Sequence, residues 1–217
     1  MSAKILLEAK HISHKFDYPL FDDIDLTLKE RQTIAIMGTS GSGKSTFLNI
    51  LCSLLVPQQG EVIYDGKDIL TLPDKELLKI RRDEFGIIFQ AHYLFRGFNA
   101  DENIKIAELL SGHTIDKDLT KTLKIEHILS QGIGELSGGQ QQRLSIARVL
   151  TKQPKIIFAD EPTGNLDNQT AKEVMDVLFE YVHNNNSAMV LVTHDNDIAN
   201  SCDIVYKVEN LKLERIK

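Results

Sequence analysis

Gly38-Thr39-Ser40-Gly41-Ser42-Gly43-Lys44-Ser45-Thr46 limits what this chain can fold into more than any other stretch. It fits the pattern G-x-x-x-x-G-K-[ST], and it lies between an apolar run at 33–37 and a helical pattern at 47–51. In that setting the glycines let successive backbone N–H groups curl around a phosphate. The following helix points its positive end at the same place, and Lys44 adds a full charge. Ser45 supplies a hydroxyl for Mg²⁺. The apolar run ahead of the loop suits a strand covered on both faces, which places the loop at the edge of a buried sheet.

Further apolar runs repeat that theme. Residues 155–160 and 189–193 read as buried strands, and 85–89 reads as a strand ending at Gln90. The first thirty residues are β-rich, with period-two alternation from Asp23 to Lys29, and 61–66 reads as a short strand closed by Asp65-Gly66. A helix with Leu144, Ala147 and Leu150 on one face follows Gly139. Ala171, Val174, Met175, Leu178, Tyr181 and Val182 mark an amphipathic helix. The tail from 204 to 216 alternates around Glu209-Asn210 as a hairpin would. Apolar strands alternating with helices predict an α/β fold with a mainly parallel, covered sheet. Between 91 and 135 the pattern changes to short helices at 101–111, 117–124 and 126–130, predicting a small helical subdomain inserted into a single domain. The core is then 1–90 plus 136–217.

Composition excludes several classes. The chain has 217 residues, 42% of them hydrophobic, and a formal charge of −6. That is enough apolar material for a core, and it lacks the basic footprint of a nucleic-acid binder, so no nucleic-acid partner is expected. The apolar stretch 47–56 contains Asn49 and Ser53 and falls far short of the ~20 residues that span a bilayer. Ile5-Leu6-Leu7, interrupted by Glu8, is too short for a signal-peptide core. Cys52 and Cys202 stand far apart in no metal-ligand spacing. The expected location is the cytoplasm.

Two further clusters carry chemistry. Asp160 and Glu161 end the strand at 155–159, where a carboxylate faces the ligand crevice of a parallel sheet. Asp160 suits a Mg²⁺ ion, directly or through water, and Glu161 suits the polarisation of an attacking water. Leu136-Ser137-Gly138-Gly139-Gln140 places small residues and a hydroxyl directly before a helix. That arrangement fits an anion site and equally an ordinary helix N-cap.

Taken in order, the phosphate loop, Gln90, Leu-Ser-Gly-Gly-Gln, Asp160-Glu161, Gly164-Asn165-Leu166-Asp167 and His194 resemble the ATP-binding-cassette ATPase family over essentially the whole chain. The resemblance implies a phosphate-loop NTPase core, an antiparallel β subdomain at the N-terminus, and ATP with Mg²⁺ as ligands. It implies that Gly38, Thr39, Ser40, Gly41, Ser42, Gly43, Lys44, Ser45 and Thr46 hold the nucleotide, with Lys44 on the β- and γ-phosphates. Gln90 would sense metal, γ-phosphate or water, Ser45 and Asp160 would hold the metal, and His194 would contact the γ-phosphate. Ser137, Gly138, Gly139, Gln140 and Asp167 would serve ATP bound to a second copy, so that a complete site needs two chains head to tail. Phe16 resembles the aromatic that stacks on adenine, with Tyr18 as rival. A lone histidine after a strand and a lone aromatic are also ordinary packing residues.

The stretch 161–167, with Phe89-Gln90 and Glu102-Asn103-Ile104, is similar to the subgroup serving lipoprotein release, macrolide-type export and cell division. The implied role is an ATPase subunit, peripheral on the inner membrane face, driving a separately encoded permease for release or export. The alternatives are a cell-division ATPase that regulates wall hydrolysis and transports nothing, and a soluble ATPase of DNA repair or translation. Tyr93, Leu94, Phe95 and Phe98 directly follow Gln90 and would either receive a permease helix or belong to local core.

Overall fold

The computed structural model describes residues 3–164 and 166–217. Met1, Ser2 and Asn165, the last within the Gly164–Asp167 motif, lie outside the described residues.

The N-terminal residues build an antiparallel sheet. Strands β1 (Ile5–Lys15) and β2 (Pro19–Lys29) pair along their length, and β1 also pairs with β4 (Gln59–Tyr64). Asp65 and Gly66 both take positive φ, which is what a two-residue hairpin turn requires, and they return the chain as β5 (Lys67–Asp68). Alternation along β1 and β2 puts Leu7, Ala9, Ile12, Leu26 and Leu28 inside.

The larger sheet has six strands. Around β3 (Thr33–Met37) stand β8 (Ala188–Val192) on one side and β9 (Ile204–Glu209) on the other. Beyond β8 come β7 (Ile156–Asp160) and β6 (Phe85–Ile88), all parallel, and β10 (Lys212–Arg215) closes the far edge as the expected hairpin with β9. Both faces are covered. Ile34, Ile36, Phe158, Val190 and Val192 point into a core shared with the antiparallel sheet and with α1 (Lys44–Leu51). Ala35, Ile157, Ala159, Met189 and Leu191 point into a second core with α5 (Gly138–Thr151) and α6 (Asn168–Asn184). Burial on both sides is why these strands read as unbroken apolar runs and not as alternations. Gly86 sits where an added Cβ would lie 2.6 Å from Val149 Cγ1, so α5 can approach β6 only over a glycine.

The helical stretch between β6 and α5 contains α3 (Ala100–Ser111), α4 (Lys117–Thr122) and a 3₁₀ turn at Glu126–Ile128. Asn99 and Glu102 close α3 with a reciprocal capping box. The expected helix at 126–130 is only that single turn. Lys124 at φ 54 stops α4, and Ile125 and Ile128 both turn inward before another turn can propagate. Ala100, Ile104, Ile128 and Ile133 join the same core as α5, so this stretch is packed onto the sheet's second face.

Helices α2 (Asp74–Asp83) and α7 (Asn196–Ser201) are not expected from the sequence pattern. None of the α2 residues is fully buried, and α7 is too short to display a periodic stripe. Among the described residues no helix is long and apolar enough to cross a membrane.

Candidate active site

Parallel pairing brings the C-terminal ends of β3, β6, β7 and β8 to one edge of the sheet. Residues far apart in sequence meet there, at the crevice where open α/β sheets take ligands.

The loop 38–43 leaves β3 through Gly38 at φ 152, where a Cβ would lie 2.8 Å from Ser42 Oγ and 3.0 Å from the Val208 carbonyl oxygen. Gly41 and Gly43 are left-handed, and Gly43 N-caps α1 without any side-chain cap. The first amides of α1 are therefore free of a competing side chain. Lys44 folds back over the loop, donating to the carbonyls of Gly38 at 3.0 Å and Thr39 at 2.8 Å. Thr39, Ser40 and Gly41 are exposed, and the buried Ser42 hydroxyl has no protein partner among the described residues.

Ser45 Oγ donates to Asp160 Oδ1 at 3.0 Å across 115 positions of sequence. Burial raises the Asp160 carboxyl above its ordinary value and the charge of Glu161 adds to this, while the Ser45 hydrogen bond and Lys44 oppose it. Two hard oxygen donors beside the phosphate loop fit Mg²⁺, which completes its shell with waters and substrate phosphates in preference to an all-protein cage. Among the described residues no group of three or more His, Cys, Asp or Glu side chains forms a metal cage.

Glu161 has φ 48, a left-handed conformation that L-residues rarely adopt, and its amide donates to the Val192 carbonyl at 2.9 Å. Its Oε2 accepts a hydrogen bond from His194 Nδ1 at 2.6 Å, the ring proton being assigned by the acceptor-only carboxylate. This pair was not foreseen from sequence, which assigned the two residues separately. The Glu161 side chain is 20% exposed and that of His194 is 72% exposed, so the imidazole is open to solvent while the carboxylate is largely covered.

Gln90 follows β6 in an exposed bend, and its side chain makes no hydrogen bond among the described residues. Ser137 is a helix N-cap: its Oγ accepts from Gln140 N at 3.3 Å, and Gln140 Oε1 accepts from Ser137 N at 2.8 Å. Ser137 and Gly138 are exposed, Gly139 and Gln140 half-buried, and no hydrogen bond among the described residues joins them to the phosphate loop of the same chain. Asp167 N-caps α6 through Thr170 N at 3.0 Å, and its hydrogen bonds with Thr170 hold its carboxyl below the ordinary range.

Phe16 and Tyr18 lie on the loop joining β1 to β2, and both are more than half exposed. Phe16 stands edge-on to His14 with ring centroids 4.8 Å apart.

The segment after Gln90 is held by residues that the sequence reading did not single out. Asn103, fully buried, accepts from Phe95 N at 2.9 Å and donates to the carbonyls of Phe95 and Asn99. Arg148 of α5 donates to the Tyr93 carbonyl at 3.0 Å and lies 5.3 Å from the Phe95 ring centroid. The signal available was a polar asparagine on the inward face of a capped helix, which needs partners if buried. Tyr93, Phe95 and Phe98 remain 66%, 48% and 45% exposed, so they are not local core; Leu94 alone packs inward.

The chain is similar to known proteins over most of its length. Residues 21–164 match the family model for the ABC transporter. The lipoprotein-releasing system ATP-binding protein LolD of Treponema denticola is 39% identical over 203 residues, covering 91% of this chain and 90% of that protein. Its namesake from Bdellovibrio bacteriovorus is 38% identical over 193 residues, covering 86% and 88%. Among solved structures, the dimeric post-hydrolysis state of the ATP-binding cassette MJ0796 bound to ADP and Pi is similar with a TM-score of 0.88. It is 32% identical, with 97% of each chain covered.

Proposed function

The chain belongs to the ABC transporter family, and from that premise we propose that it powers lipoprotein release as a pair of ATP-bound copies beneath a separately encoded permease. It is an ATP-binding ATPase. The carrying observation is the convergence of the Lys44 loop, the Ser45–Asp160 pair and the Glu161–His194 pair on one sheet edge. In this reading the loop amides and Lys44 hold the phosphates, and Ser45 and Asp160, with Gln90 at the same edge, hold Mg²⁺. When bound, that ion would supply positive charge to offset that of the phosphates. Glu161 accepts a proton from the attacking water, and His194 keeps its carboxylate aimed at the crevice while presenting its exposed ring to the γ-phosphate. Residues from about 91 to 135 act as an inserted helical subdomain that leads directly into Ser137.

Pairing of copies follows from what one chain lacks. Ser137 and Gly138 are exposed at the start of a helix, yet among the described residues they make no hydrogen bond to their own phosphate loop. In a head-to-tail pair each copy places them, with Asp167, against the other's ATP, and the two equal sites close about a two-fold axis. The dimeric cassette MJ0796 with ADP and Pi supports this arrangement. Glu161→Gln protein with ATP and Mg²⁺ should double its mass in size-exclusion light scattering and revert to single copies with ADP. ATP-loaded protein that stays monomeric at high concentration would count against pairing.

The relatives named for lipoprotein release favour that role over cell division. The exposed Phe95 and Phe98, on a segment whose backbone Asn103 and Arg148 hold at Tyr93, Phe95 and Asn99, offer a firm apolar surface for a permease helix at the inner membrane face. Phe95→Glu or Phe98→Glu should cut co-purification with the permease at least about tenfold, because a charge would have to be desolvated on docking. ATPase activity of the isolated chain should stay within about twofold. Unchanged assembly would move the docking surface elsewhere.

A further inference from the structure

Four aromatic rings form an unbroken column between the β1–β2 loop and α1. Phe16 meets His14 edge-on at 4.8 Å, and His14 stacks over Phe21, its cross-strand partner, at 6.1 Å and 29°. Phe21 meets Phe47 edge-on at 5.6 Å. Phe47 lies in α1 just beyond Lys44, Ser45 and Thr46. Phe21 also walls the end of the phosphate loop, since a Cβ on Gly43 would lie 3.1 Å from its ring. The top ring is 57% exposed, and the three below it are buried.

His14 is the unusual member. It is 7% exposed, and neither ring nitrogen has a hydrogen-bond partner among the described residues. A buried polar group without a partner is ordinarily costly, and an apolar ring at this position would avoid that cost. What His14 does supply is shape: a flat ring that fills the space between Phe16 and Phe21 and touches both. Phe16 lies on the loop joining β1 to β2, and among the described aromatic rings only His14 packs against it. The rings beneath His14 belong to the sheet and to the helix that carries the phosphate-binding residues.

We propose that His14 is a positioning residue for the nucleobase, setting the Phe16 ring at a fixed distance and tilt from the phosphate loop. The proposal rests on Phe16 as the ring that stacks on adenine. With the column in place, base and triphosphate are received by two surfaces already in register, and little ordering is left to be done on binding. Without the His14 ring, Phe16 samples many orientations and the base loses its platform. The phosphates are then held as before.

The test is calorimetric titration with ATP and, separately, with inorganic triphosphate, both in Mg²⁺. Wild type, His14→Ala, His14→Phe, Phe16→Ala and the His14→Ala/Phe16→Ala double variant are compared. Loss of one edge-to-face contact predicts that His14→Ala binds ATP about threefold to tenfold more weakly. Inorganic triphosphate affinity should be unchanged. His14→Phe should restore ATP affinity, because the ring and not its nitrogens is used. In the double variant the His14 change should add nothing to the loss from Phe16→Ala. Four results would overturn the proposal: additive losses, no loss in His14→Ala, equal loss of triphosphate binding, or a His14→Phe variant as weak as His14→Ala. Phe16→Ala separates the two levels. If it weakens ATP binding while His14→Ala does not, only the positioning role fails. If Phe16→Ala itself leaves ATP binding intact, the adenine-stacking assignment fails and takes the positioning role with it.

Discussion

Glu161→Gln should lower steady-state ATP hydrolysis by about two to four orders of magnitude while ATP affinity stays within about threefold of wild type, the range spanned by a positioned general base. The reason is a division between shape and proton affinity. The Glu161 carboxylate sits at a left-handed residue at the end of β7, held by the Val192 carbonyl through its amide and by His194 through Oε2. Glutamine keeps the size, the backbone anchor and an oxygen that can accept from His194. It cannot take a proton from water. The loss therefore falls on the transition state, while the contacts that bind ATP in the ground state are untouched. Phosphate-release kinetics paired with fluorescent-nucleotide titration measure the two quantities separately. A parallel fall in affinity and turnover would show that Glu161 organises the site and does not act as its base.

Lys44→Ala should show the opposite profile, with ATP affinity falling about a hundredfold, as loss of charge-assisted hydrogen bonds to phosphate predicts. The ammonium rests on the carbonyls of Gly38 and Thr39, directly over the loop. Those carbonyls lie beside exposed positions and can bond water when the side chain is removed, so the melting temperature should move by only about 2 °C. The loss belongs to binding because the charge is used as soon as the phosphates enter. Calorimetry at two ionic strengths sharpens the test. The wild-type affinity should weaken with added salt more steeply than that of Lys44→Ala, whose loop has lost its full charge. Wild-type-like affinity in Lys44→Ala would remove Lys44 from the phosphate site.

Much of the site was legible in the sequence because its chemistry is local. Gly38, Gly41 and Gly43 are glycines because their backbone angles demand it, and that demand shows in the order of residues whatever packs around them. Strands 33–37, 156–160 and 188–192 announced burial on both faces through composition alone. The helix start at Ser137 was likewise written in short-range capping chemistry.

Pairings between distant residues were not legible, because periodicity reports which face of an element is buried and never what covers it. Ser45 meets Asp160, and Glu161 meets His194, only because β3, β8, β7 and β6 lie in that order in one parallel sheet. The choice between docking surface and core at 93–98 had the same origin. Asn103 and Arg148 hold that backbone from behind, which leaves Phe95 and Phe98 facing solvent, a result no apolar count could predict. His14 looked like any polar residue in a strand until β2 and α1 closed over it and made it the middle ring of a column. Local chemistry, carried by neighbours in the chain, determined which residues could bind phosphate, start a helix or fill a core. Which of them touch was decided by long-range strand pairing and helix packing, whose energies belong to pairs of elements and are carried by no single stretch of sequence.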